Sequence, residues 1–165
     1  MYQVSGKKRW EISRDVARSL GWKIAVPNDE EIAKHSLYHA IEDTENARAV
    51  YSAMRCLIAP DCSYFFPVAY MPDENEIWKL MVATLDMIHF TEVETALQLV
   101  KRPEITLQLQ STKDNLWRAT LIDKRIADVQ FRCVSEDAGI AVCGAWLNLN
   151  DRLRTIAGLL SDFDS

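Results

Sequence analysis

Apolar residues alternate with polar ones at Ile105, Leu107 and Leu109, and again at Trp117, Ala119 and Leu121, with Ser111 to Asn115 between the two runs. Strict alternation on both sides of a short polar link predicts a β-hairpin. A third run, Val129, Phe131 and Cys133, extends it to an antiparallel meander. The front of the chain follows a different period. Ile12, Val16 and Leu20 recur at helical spacing, and Gly21 stands where a helix ends on a left-handed residue. Trp22 to Val26 reads as extended chain. Asn28 with Glu31 three positions later forms a capping pattern that starts a second helix.

Asp43 or Thr44 can cap a third helix, whose buried stripe would be Ala47, Val50, Tyr51, Met54, Leu57 and Ile58. Tyr64 to Tyr70 is aromatic and β-favouring, but Pro67 lacks a donor, so the segment is an edge strand or an ordered loop. Pro72, Asp73 and Glu76 announce a fourth helix through about Phe90. Thr91 and Glu94 repeat the capping pattern before Ala96 to Val100, a stretch open to helix or strand. Ala138 to Leu149 is a helix weakened by Gly139 and Gly144, or a fourth strand, and Asn150 caps a final helix carrying Leu153, Ile156 and Leu160. These elements predict an α+β fold in one domain, 1–165. Residues 1–100 are mainly helical and 101–165 form a small antiparallel β-meander plus a C-terminal helix, packed as a two- or three-layer α/β sandwich.

Composition changes this picture little. Of 165 residues, 48% are apolar and 26% charged, enough for one continuous core. Lys7, Lys8 and Arg9 have no apolar stretch behind them, and Lys79 and Asp86 interrupt the longest apolar run, so neither a signal peptide nor a membrane span is expected and the chain reads as cytoplasmic. The four cysteines form no C-x-x-C pair and read as buried thiols of a reducing compartment, with Cys56–Cys62 the most plausible disulfide if one forms.

Charge is unevenly placed. Residues 1 to 23 carry Lys7, Lys8, Arg9, Arg14, Arg18 and Lys23 against Glu11 and Asp15. Asp29 to Glu94 holds thirteen acidic residues against Lys34, Arg48, Arg55 and Lys79. The acidic middle argues against a nucleic-acid partner. The opening Ile12 to Gly21 is shaped like the first half of a helix-turn-helix, yet the next helix begins with Asp29, Glu30 and Glu31, carboxylates that would face phosphates.

Candidate chemistry is sparse. His35 and His39 are four apart on a helix and can share a metal ion, with Glu31 and Glu42 on the same side, opposite Ala33, Leu37, Ala40 and Ile41; that places the pair on a solvent face. Ser36 occupies the position of the glutamate in the H-E-x-x-H hydrolases, so that motif's base is missing. His89 ends an apolar helix, no G-x-S-x-G or P-loop is present, and the clustered carboxylates coincide with helix starts. Neither a catalytic residue nor a cofactor is implied. Trp22, Tyr64, Phe66 and Tyr70 flank loops and are the candidate lining of a pocket for a nucleotide-like small molecule.

Leu20-Gly21-Trp22, the strand Leu116-Trp117-Arg118-Ala119-Thr120-Leu121 and the closing segment Ala138 to Leu147 have, in this order, a further implication. The chain resembles the phage ABA sandwich domain proteins, small phage and prophage products with a sheet between helices. The resemblance implies a mobile-element origin and action in a bacterial cytoplasm, and brings no catalytic residues. The functional expectation is a non-enzymatic interaction protein whose acidic helical surface, Glu30, Glu31, Glu42 and Glu45, engages a protein partner or a second protomer. A small-molecule pocket and a metal site at His35 and His39 are the alternatives.

Overall fold

The computed structural model describes residues 1–39, 44–68, 73–126 and 129–163. Its elements run α1 (Arg9–Ser19), β1 (Lys23–Ala25), α2 (Asp29–His39), α3 (Thr44–Tyr51), β2 (Cys56–Ile58), β3 (Phe65–Pro67), α4 (Glu74–Thr84), α5 (Val93–Leu99), β4 (Ile105–Ser111), β5 (Trp117–Asp123), β6 (Gln130–Ser135) and α6 (Ala138–Phe163), with a 3-10 turn at Asp86–Ile88. The fold is α+β, with two three-stranded antiparallel sheets ordered β1-β2-β3 and β4-β5-β6 among the described residues. The chain divides into two compact units, Met1–Val16 with Val82–Ser165, and Ala17–Met81.

The first unit is the meander and the long helix. Leu107 pairs with Leu121 and Leu121 with Phe131, which puts Ala119, Leu121, Phe131 and Cys133 on one face. All four are buried, and α6 lies across β5 and β6 with α5 packed on it. The opposite face, with Gln108, Gln110, Arg118 and Gln130, is polar and mostly exposed, the division expected of a one-sided sheet. Small residues bring α6 close. A Cβ on Gly144 would collide with the Cys133 thiol and lie 2.8 Å from Val4 Cγ1. The N-terminal segment is tied in by Asn148, whose Oδ1 accepts from the Tyr2 amide and whose Nδ2 donates to the Arg132 carbonyl. The basic residues near the N-terminus are matched locally: Lys7 and Arg14 pair with Asp15, and Arg9 with Asp137.

In the second unit, α1 ends as anticipated at Gly21 (φ +98°). The amide of Trp22 reaches back to Ala17 and that of Gly21 to Arg18, the two bonds of a Schellman cap. The sheet β1-β2-β3 places Ala25, Cys56, Ile58 and Phe65 on one face against Ile32 of α2 and Tyr51 of α3.

Four expectations are corrected. The third helix stops at Tyr51, and Cys56–Ile58 is instead the central strand of this sheet. Its three residues are buried, and an unbroken apolar run has no periodicity to separate strand from helix. The fourth helix ends at Thr84, where Leu85 turns extended. The cap expected from Thr91 does not form; α5 begins after Glu92, and Thr91 is buried with its hydroxyl unpartnered. Asn150 starts no helix, because α6 runs unbroken through it from Asp137, whose Oδ1 accepts from the Ile140 amide, and Asn150 donates to the Trp146 carbonyl. Of the two readings of Ala138 to Leu149, the helix is the one realised, and Val93–Leu99 is likewise helical.

Candidate functional site

The α2–α3 region carries the candidates with most consequence. Asn28 and Glu31 form the expected capping box: Asn28 Oδ1 accepts from the Glu31 amide at 2.9 Å and Glu31 Oε2 from the Asn28 amide at 3.0 Å. The other Glu31 oxygen pairs with Lys23. Its charge is thus used within the molecule.

The rotation of α2 about its axis differs from expectation. Ile32, His35 and Ser36 face inward, while Leu37 is 83% exposed and Tyr38 also lies outside. His35 is only 5% exposed and stacks on Phe65 at a centroid distance of 4.1 Å, with the Tyr51 ring edge-on at 5.5 Å. Its Nδ1–H donates to the Cys62 carbonyl at 2.8 Å, and His39 Nε2–H donates to the Ser63 carbonyl at 2.9 Å. Two histidines one helical turn apart therefore clamp consecutive carbonyls of the β2–β3 loop, where Cys62 sits in the left-handed region (φ +62°). Of the residues that the sequence assigns to the core-facing side, Ala33 and Leu37 of α2 are exposed, and Ala40 and Ile41 lie outside the described residues. Ile32 fills the core instead, and the buried His35 imidazole finds the Phe65 ring to stack on and the Cys62 carbonyl to donate to, so its burial does not strand a polar group.

Burial pushes the His35 imidazole below its ordinary value, against the opposing pull of the Cys62 carbonyl and with a further lowering from His39. The clamp uses one nitrogen of each ring, and Glu31 is turned to Lys23. No group of three or more histidine, cysteine or carboxylate side chains comes together in metal-binding geometry among the described residues.

The same two helices carry both charged and apolar side chains at exposed positions. Leu37, Tyr38 and Val50 are exposed large hydrophobics, with Asp29, Glu30 and Glu45 exposed on the same two helices. Of the described side chains of α3, Tyr51 is partly buried and the others are exposed. Arg48 lies 4.0 Å from Asp29, a weak surface pair. Glu42 lies outside the described residues. Leu37 and Tyr38 went unread as surface residues although a signal existed: at 100° per residue, Leu37 is on the opposite side of α2 from Ile32.

Trp22, Tyr64 and Phe66 form an aromatic row. Trp22 and Tyr64 are 6.2 Å apart and tilted, and Tyr64 and Phe66 are stacked at 6.4 Å. Tyr70 lies outside the described residues. Open clefts of about 710 and 700 Å³ lie in the other unit, one beside Val4 to Arg9 and Asp137, the other beside Phe131, Asn148 and Thr155. All four cysteines are free and buried. Burial raises the Cys62 thiol and pushes that of Cys143 up to about 12, the reverse of a nucleophile. His89 lies 3.9 Å from Glu92 on the surface.

No protein-family model, no curated protein and no solved structure matches the chain. No helix among the described residues is long and apolar enough to cross a membrane.

Proposed function

We propose that the chain is a non-enzymatic binding protein of mobile-element type, acting in a bacterial cytoplasm, whose α2–α3 surface takes a basic protein surface with an apolar centre. The observation that supports this reading is the combination on two adjacent helices of Leu37, Tyr38 and Val50 with Asp29, Glu30 and Glu45, all exposed. A side chain as open as Leu37 gains about 2 kcal/mol when a partner covers it. The surrounding carboxylates add steering and register more than affinity. Glu31 is not part of the contact, because its carboxylate serves the capping box and Lys23.

The test is quantitative capture from bacterial lysate by the immobilised chain, compared with two variants altered only at exposed positions, Leu37→Ala and Glu30→Lys with Glu45→Lys. A genuine partner is one whose recovery falls at least about tenfold with both variants, the equivalent of 1.4 kcal/mol, while the far-ultraviolet spectrum stays that of the parent. Equal recovery of every captured protein by parent and variants removes this surface as the binding site.

A further inference from the structure

The sheet of the first unit treats its two edges differently. Its strands run β4-β5-β6, so β4 and β6 are the outer ones. On β6 the outward carbonyl of Arg132 accepts from Asn148 Nδ2. On β4 the outward groups have no partner among the described residues. The Thr112 amide donates to the Leu116 carbonyl and the Lys124 amide to that of Glu104, at the two ends of the β4–β5 ladder. Bonded pairs alternate along an antiparallel ladder. Thr106, Gln108 and Gln110 therefore bond β5, and the amides and carbonyls of Leu107 and Leu109 point away from it, where no described group bonds them. Native edges are ordinarily blunted by charge, proline or a bulge. Ile105–Ser111 (ITLQLQS) has no charge and no proline, and its register with β5 is unbroken over all 7 residues.

We propose that this edge is completed by β4 of a second copy, lying antiparallel, so that the two three-stranded sheets join into one. Unpaired amides and carbonyls at strand spacing call for another strand, and β4 matches its own reverse. Centring the two-fold axis on Gln108 sets Leu107 level with Leu109 of the second copy, Thr106 with Gln110, Ile105 with Ser111 and Gln108 with itself. The leucine pairs are the ones whose free groups meet, and each exchanges both of its hydrogen bonds. Their side chains are half-covered beside Ala119 and Leu121, and continue that apolar face across the junction. The wet side of the junction is amide against amide. It carries no charge, which matters for two chains that each bear a net charge of -5.

Other registers are worse. A slip of one residue brings free groups against bonded ones and turns the leucines of the second copy to the wet face. The next register that keeps the alternation leaves the last two residues of each strand without a partner. Two short strands make a small interface, which gives a reversible dimer rather than an obligate one. The inference does not depend on the α2–α3 reading.

Sedimentation velocity on the full chain from about 1 μM to 1 mM, at low salt so that charge is not screened, should show a monomer–dimer equilibrium. Gln108 is exposed, so Gln108→Lys and Gln108→Glu leave the fold intact while setting like charges against each other at the axis. Each variant alone should dimerise about fivefold more weakly, and an equimolar mixture of the two should regain at least the parental affinity. Amide exchange followed by NMR reads the pairing itself. The Leu107 and Leu109 amides should exchange freely in dilute monomer and become protected in the dimer, whereas those of Thr106, Gln108 and Gln110 are slow in both. A monomer throughout the range, variants that dimerise as the parent does or are not rescued by mixing, or Leu107 and Leu109 amides that exchange alike in monomer and dimer would each overturn the proposal.

Discussion

Two glycines of α6 should respond to the same substitution with opposite signs. Replacing glycine by alanine in a helix interior removes backbone entropy from the unfolded chain and is worth about 1 kcal/mol when the methyl group meets nothing. Gly158 satisfies that condition. Gly139 does not: its Cβ would fall well inside contact distance of the Thr91 carbonyl oxygen, 2.9 Å from the carbonyl carbon and 3.0 Å from the Val93 amide nitrogen. These are backbone atoms at the start of α5, so relief requires α5 and α6 to separate by roughly an ångström. Overpacking of this kind costs about 1–3 kcal/mol, and more where backbone must move. The buried contacts of Val142, Ala96 and Leu99 would loosen with it. Subtracting the propensity gain from a cost of about 3–4 kcal/mol leaves Gly139→Ala destabilised by about 2–3 kcal/mol, a fall in melting temperature of about 4–12 °C for a chain of this size. Gly158→Ala should rise by about 2–4 °C. Thermal and urea unfolding followed by circular dichroism measure both. If Gly139→Ala is as stable as Gly158→Ala, α5 does not approach α6 at this point and the packing described for the unit is wrong.

Two further outcomes follow from groups the fold buries. His35 has its imidazole lowered by burial, so the unfolded chain binds the proton more readily than the folded one. Stability is therefore complete above the unfolded value near 6.5 and declines as pH falls through it, by at most about 1.4 kcal/mol per pH unit. His35→Gln, which keeps a donor for the Cys62 carbonyl but does not titrate, should flatten the melting temperature between pH 7.5 and 5.5, a window well above the range of Asp123, whose carboxyl is held down by Arg125. An unchanged slope would mean that His35 is not buried in the neutral form. Asp123 itself has a fully buried side chain bound by Arg125 Nε and Nη2. Arg125→Ala should lower the urea midpoint, because it leaves the buried Asp123 carboxylate without its cation, and adding Asp123→Asn should restore part of the loss. Strict additivity of the two changes in urea titrations would deny the coupling.

What the sequence made legible divides along physical lines. The meander was readable because each strand has one wet and one dry face, so residues such as Leu107 and Gln108 alternate and fix the register with Leu121 and Thr120. The cap at Asn28 and the stop at Gly21 were readable because each rests on local hydrogen bonding within a few residues. Cys56–Ile58 was not, since a central strand buried on both faces carries no alternation and its partners are distant in sequence. Nor was the continuity of α6 through Asn150, because an asparagine that could cap a helix can equally bond the carbonyl four residues back within one.

The orientation of α2 shows why the candidate site was harder still. Two faces of this helix were available to the core, one with Ala33 and Leu37 and the other with Ile32, His35 and Ser36, and hydropathy alone favours the first. The second wins because the β2–β3 loop supplies two carbonyls at the spacing of His35 and His39, and Phe65 supplies a flat ring beside them. Satisfying the His35 imidazole offsets the cost of burying it, and its stack on Phe65 adds packing that Leu37 would otherwise provide, while His39 stays exposed and bonds the Ser63 carbonyl from the rim. The consequence is displaced outward. With His35 inside and His39 bonded at the rim, Leu37 and Tyr38 are left on the surface of a helix that also exposes Asp29 and Glu30. The residues that suggested a metal site thus hold the helix in the orientation that leaves Leu37 and Tyr38 exposed.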